Sequence, residues 1–181
     1  MPKVIVPLAV GFEEIEAITI VDVLRRAGVD VVMVALESLY VKGAHGIEIT
    51  ADAVLCDIDA STFDMIALPG GLPGAFHLAE HAELQKLLKT FDAKGKAIAA
   101  ICAAPYALTT AGVLKNAYTC YPSFETKIDH AGYQSEPNVV RDGNITTSKG
   151  PSTSMLFALS LVEQLCGKAK KEELSSALLL S

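Results

Sequence analysis

Short apolar runs rich in β-branched residues alternate along this chain with stretches whose apolar residues recur every third or fourth position, and this alternation limits the fold more than any other feature. Val4 to Val10 reads as a buried strand. Glu13 to Ala27 follows with Ile15, Ile18, Val21, Val23 and Leu24 on a helical face, and Gly28 stands where a C′ glycine ends a helix. Val29 to Leu36 reads as a second strand, and residues 39–50 as a hairpin turning near Gly43 to Gly46. Met65 to Leu68 is a short buried strand ending in Pro69-Gly70-Gly71. Helices are predicted over His81 to Ala93, 103–111, Ser152 to Leu165 and 169–179. A strand is predicted over Ala97 to Ile101, and a second hairpin over 137–148 around Asp142-Gly143. Strands alternating with helices imply βαβ units: an α/β fold with a mostly parallel sheet and helices on both faces. No repeat, low-complexity segment or linker interrupts the pattern, so residues 1–181 read as one domain.

Composition narrows the partners. Of 181 residues, 51% are hydrophobic, enough to bury a full core. The net charge of -6, without runs of like charge, argues against nucleic acid or a membrane surface as a partner. Trp is absent, which removes the best platform for stacking bases. No apolar stretch approaches the roughly 18 residues of a membrane span, and the Met1-Pro2-Lys3 start lacks a signal-peptide pattern, so a cytoplasmic location is expected. The four cysteines, Cys56, Cys102, Cys120 and Cys166, show no C-x-x-C spacing. Neither a zinc site nor a thioredoxin motif is indicated, and free thiols are expected.

Parallel α/β sheets bind ligands at the carboxyl ends of their strands. Three segments meet that description: Gly11 to Glu16, Pro69 to Gly74, and Cys102 to Pro105. Cys102 follows a strand directly and is followed by two small residues, Ala103 and Ala104, as a nucleophile on a tight strand-to-helix turn requires. A helix starting there would aim free N–H groups at the sulfur and lower its pKa. The competing reading is a small buried hydrophobe. Glu16, one turn into the first helix, could face the strand ends as a protonated carboxyl or a general acid-base. A solvated helix glutamate is the alternative, which suits Glu13 and Glu14 better, and spacing alone does not choose among the three. The amides of Gly71 and Ala103 could form an oxyanion hole, or Gly70-Gly71 could be a plain turn. His77 and His81 have i, i+4 spacing that can hold a metal. Without a third ligand or an H-E-x-x-H pattern they read as surface histidines, and no metal is expected.

The motifs together resemble the DJ-1/ThiJ/PfpI superfamily, closest to its DJ-1 branch. The resemblance rests on Gly11-Phe12-Glu13-Glu14-Ile15-Glu16, Val21 to Gly28, Leu68-Pro69-Gly70-Gly71, Ala99 to Pro105, and Thr147-Ser148-Lys149-Gly150-Pro151-Ser152-Thr153, in the family's order over almost the whole chain. It implies a flavodoxin-like three-layer sandwich, a homodimer and no cofactor. It makes Cys102 the oxidation-sensitive nucleophile, Glu16 its protonated partner, and Gly71 and Ala103 the backbone donors. Gly70, Asp22, Arg26, Tyr121 and Pro151 fall in segments that would support the pocket or the dimer. Tyr121 stands where the DJ-1 branch often has histidine, which removes support for a histidine-assisted mechanism. Ala103 stands where the protease-like branch has histidine, which weakens an amidase or protease reading. No G-x-x-x-x-G-K phosphate loop supports the thiazole phosphate (thiamine biosynthesis) role named for some relatives.

Two functions follow from the resemblance. One is a cofactor-independent glyoxalase or deglycase taking small methylglyoxal-type carbonyls. The other is a redox sensor of oxidative stress, or a chaperone, whose Cys102 oxidises to sulfinate.

Overall fold

Four isoleucines in register mark the centre of the molecule. The structure is a computed structural model that describes residues 1–180. In it, Ile5 of β1 (Lys3–Leu8) pairs with Ile66 of β6 (Met65–Leu68), Ile66 with Ile98 of β7 (Ala97–Ile101), and Ile98 with Ile145 of β9 (Ile145–Ser148). All four are 1% exposed or less. A row this apolar is stable only if both sheet faces are covered, and they are.

The main sheet has seven strands in the order β5-β2-β1-β6-β7-β9-β8. β2 (Asp30–Ala35), β1, β6, β7 and β9 run parallel, with the short β5 (Ala53–Val54) parallel at one edge. β8 (Val139–Asp142) closes the other edge as an antiparallel hairpin with β9. α1 (Glu14–Arg26), α6 (Ser154–Cys166) and α7 (Lys168–Ala177) pack together as one layer; α2 (Gly74–Glu80), α3 (Ala82–Ala93), α4 (Pro105–Thr110) and α5 (Glu125–Ile128) form the other. This is the flavodoxin-like three-layer sandwich. After β1 the chain winds first to β2 and then back across β1 to β6, so the topological switch point lies between β1 and β6.

β3 (Tyr40–Lys42) and β4 (Glu48–Thr50) form a separate antiparallel hairpin. It folds over the loop that leaves β1: Gly11 N–H donates to the Lys42 carbonyl at 2.8 Å, and Ala44 N–H to the Phe12 carbonyl at 2.8 Å.

The sequence reading differs from the structure at several boundaries. β1 ends at Leu8, and Val10 is exposed, because the hairpin draws the chain out of the sheet. α2 escapes sequence reading because it begins on glycine, a poor helix former. Gly74 is needed there: a Cβ would lie 2.8 Å from the Gly11 carbonyl. His81 is not in a helix with His77 but ends α2 and caps α3, its Nδ1 accepting from Leu84 N–H at 3.3 Å. β5 and α5 are too short to leave a periodic trace. The helix expected at 103 starts at Pro105, after a turn in which Ala104 N–H donates to the Ile101 carbonyl. No helix among the described residues is long and apolar enough to cross a membrane.

Candidate active site

The parallel strands deliver three loops to one edge of the sheet, and the loops meet at Gly70. A Cβ at that position would lie 2.7 Å from Cys102 Cβ and 2.9 Å from Glu16 Oε2. Glycine therefore leaves the space in which the thiol and the carboxyl converge. Gly71 (φ +91°) packs equally closely on the first loop, where a Cβ would overlap the Glu13 amide nitrogen and the Gly11 carbonyl.

Cys102 has φ +65°, a left-handed conformation that costs a non-glycine residue roughly 1–2 kcal/mol. Both flanking peptide groups hold it there: its N–H donates to the Ser148 carbonyl at 3.0 Å, and its carbonyl accepts from Tyr121 N–H at 2.9 Å. Ala103 and Ala104 are buried and small enough for the turn. The Gly71 and Ala103 amides lie by the sulfur and pull its pKa down.

Glu16 is fully buried. Its Oε2 accepts from Gly70 N–H at 2.7 Å, while Oε1 has no well-formed partner. Burial drives the carboxyl up to about 7; the Gly70 amide and the Cys102 side chain pull it down, and the nearby Glu13 charge pushes it further up. The thiol moves the other way from the sequence expectation. Burial and the adjacent Glu16 carboxylate hold its pKa well above the ordinary range, against a smaller downward pull from the Gly71 and Ala103 amides. The two amides do act as expected but are outweighed. The pair gives up its first proton near neutrality and resists losing the second, because two negative charges cannot share this space.

Tyr121 borders the same pocket. A Cβ on Gly150 would lie 3.2 Å from the Tyr121 ring and 4.0 Å from Cys102 Sγ, so this glycine, unmarked as a site residue in the sequence reading, opens the gap between ring and sulfur. The Thr153 hydroxyl accepts from Gly150 N–H at 3.1 Å and fixes that turn. Pro151 is a half-buried first residue of the turn.

Other readings are corrected. Glu13 and Glu14 are nearly buried, not solvated, because the β3–β4 hairpin covers them. Glu14 accepts from His45 N–H at 2.7 Å and lies 2.9 Å from His45 Nδ1. Burial opposes its ionisation, but the His45 contacts outweigh this and hold its pKa below the usual range. With Glu13 these make the one group of three metal-type donors among the described residues, and here Glu14 and His45 satisfy each other as an ion pair. His77 Nδ1 donates to the Val10 carbonyl at 2.9 Å. Asp22 and Arg26 form an exposed ion pair at 2.8 Å, further along α1 than Glu16. Cys120 is fully buried, donates to the Tyr121 carbonyl at 3.4 Å, and has its pKa raised to about 12 by burial and the Glu125 charge.

A buried thiol on a strained strand-to-helix turn, beside a carboxyl of near-neutral pKa, is set in a flavodoxin-like fold. Residues 2–164 match the model of the DJ-1/PfpI family, and the chain belongs to that family. It is 45% identical over 181 residues to Protein DJ-1 homolog B of Arabidopsis thaliana, covering 98% of this chain but 41% of that relative, so the chain spans less than half of the plant protein. It is 41% identical over 170 residues to the Glutathione-independent glyoxalase DJR-1.2 of Caenorhabditis elegans, covering 93% of this chain and 91% of that protein. The crystal structure of Drosophila melanogaster DJ-1beta superposes with a TM-score of 0.96 at 39% identity, over 99% of this chain and 98% of that one. The resemblances place the chain in the DJ-1 branch.

Glu16 binds its proton more tightly in the folded protein than in the unfolded chain, where the usual value is about 4.5. Its contribution to stability is therefore full below about pH 4.5 and is lost as the pH rises through about 7. The loss amounts to about 3 kcal/mol. Urea unfolding of Glu16→Gln at pH 5 and pH 8 is expected to lack this fall, gaining about 3 kcal/mol on the parent across that interval. Equal pH slopes for the two proteins refute the assignment.

Proposed function

We propose that this protein is a cofactor-independent glyoxalase, with deglycase activity on early glycation adducts, that acts on methylglyoxal-type carbonyls through Cys102 and Glu16. The convergence of one thiol and one carboxyl of near-neutral pKa around Gly70 carries this reading. The glyoxalase name of the Caenorhabditis elegans relative supports it.

Because the thiol is held protonated, attack needs a base. The Glu16 carboxylate takes the Cys102 proton as sulfur bonds to the aldehyde carbon, and the resulting oxyanion lies against the Gly71 and Ala103 amides. Glu16 returns that proton to the oxygen, giving a hemithioacetal. It then removes the C1 hydrogen as a proton and delivers it to C2, through an enediol, leaving a lactoyl thioester on Cys102. Water attacks the thioester, the C–S bond breaks, and lactate leaves with the thiol restored. The net change is addition of one water to methylglyoxal, with no external oxidant or reductant. A pKa of about 7 suits a group that must accept and release a proton in the same turnover.

Lactate formation from methylglyoxal without glutathione tests the reading. Cys102→Ala and Glu16→Gln are each expected to lose activity by at least about 100-fold. A parent rate no greater than that of Cys102→Ala excludes it.

The same amides and carboxyl also suit an oxidised sulfur, which favours redox sensing as a second reading: the Gly71 and Ala103 N–H groups and a protonated Glu16 would hold a sulfinate. Under mild peroxide, mass spectrometry is expected to find Cys102 oxidised before the exposed Cys56. Equal oxidation at Cys56, Cys120 and Cys166 contradicts a specialised site.

A homodimer through α1 completes the reading. Ile15 and Ile18 are 57% and 42% exposed on α1, and Ile47, bonded to Glu14, extends this surface. Two copies packed antiparallel along α1 would bury this apolar area on both. Sedimentation equilibrium is expected to show twice the chain mass, falling to one chain mass for Ile18→Glu. A parent that sediments as a monomer rules the arrangement out.

A further inference from the structure

A second cleft opens at the carboxyl ends of β1 and β2, outside the Cys102 site. It encloses about 340 Å³ between the exits of β1 and β2, the start of the β3–β4 hairpin, and α2. None of Cys102, Glu16, Gly70, Gly71, Ala103 or Tyr121 lines it. Its volume falls in the range of small-molecule sites, from about 300 Å³ upward, and it lies at the carboxyl ends of parallel strands.

Leu8, Leu36 and Val41 supply apolar walls, and the Tyr40 ring, 65% exposed, stands at the rim. Glu37 and Glu80 add two carboxylates, and no lysine or arginine lines the cleft to balance them. His77 and His81 complete the polar lining. The His77 Nδ1 donates to the Val10 carbonyl at 2.9 Å, and the His81 Nδ1 accepts from Leu84 N–H at 3.3 Å. The two carboxylates favour a cation, and the apolar walls match a hydrocarbon or aromatic body.

We propose that this cleft binds a small organic cation: a primary amine carrying an apolar or aromatic body. No residue of the Cys102 site lines this cleft, so occupancy does not need the thiol.

The test is a titration of the ¹⁵N-labelled protein with tryptamine, using indole-3-acetate and 3-methylindole as charge-reversed and neutral comparators. Tryptamine is expected to shift the amides of Val10, Glu37 to Val41 and His77 to His81 saturably. The Glu37→Gln/Glu80→Gln double variant, altered only at exposed positions, is expected to bind it at least about fivefold more weakly, the worth of two exposed ion pairs. Cys102→Ser is expected to bind it as the parent does. The proposal is overturned by equal binding of either comparator, by unchanged affinity in the double variant, by shifts centred on Cys102, or by no saturable shift.

Discussion

The hydrogen bond from the Gly70 amide to the Glu16 carboxyl ties the first helix to the exit of β6, and the rest of the site is positioned against it. It compensates one oxygen of a fully buried carboxyl and leaves the other facing the sulfur side of the pocket without a well-formed partner. A buried acid with half its hydrogen bonds made is expensive as an anion. Near-neutral protonation is therefore mainly a product of the packing, with the Glu13 charge adding to it. The thiol shares the cost: the same burial that raises Glu16 raises Cys102, so neither group can be charged without affecting the other.

Much of this was legible in the chain. The register row of Ile5, Ile66, Ile98 and Ile145 comes from runs that read as strands, and the loops after β1, β6 and β7 are where the parallel sheet places ligands. Cys102 and Glu16 were marked by turn chemistry and by family resemblance together. What stayed hidden depends on contacts between distant segments. Glu14 reads as a solvated helix glutamate until the hairpin brings His45 to it across 31 positions. The sulfur pKa follows from local turn logic only until burial and a carboxylate from position 16 are added. Gly150 has no local signature, because its role is the space it leaves between the Tyr121 ring and the sulfur.

Strain and reactivity are linked through the backbone. Cys102 keeps its left-handed conformation because Ser148 and Tyr121 each take one of its peptide groups, and Ser148 belongs to β9. The edge hairpin thus contributes to the site without placing a side chain in it. Gly70, Gly71 and Gly150 do the complementary work of leaving volume empty. Placement of Cys102 is distributed over strands from both halves of the sheet, which explains why the motif segments are scattered along the chain.

The β3–β4 hairpin stands outside the main sheet yet is fastened to the first loop at Gly11, Phe12 and Glu14. Mechanically it is a clasp on the end of the helix that carries Glu16. Bending the hairpin outward pulls on the first turn of α1, two residues from the buried acid, before it disturbs any strand of the sheet. The ribbon and the buried acid thus hang on one stretch of backbone, Gly11 to Glu16.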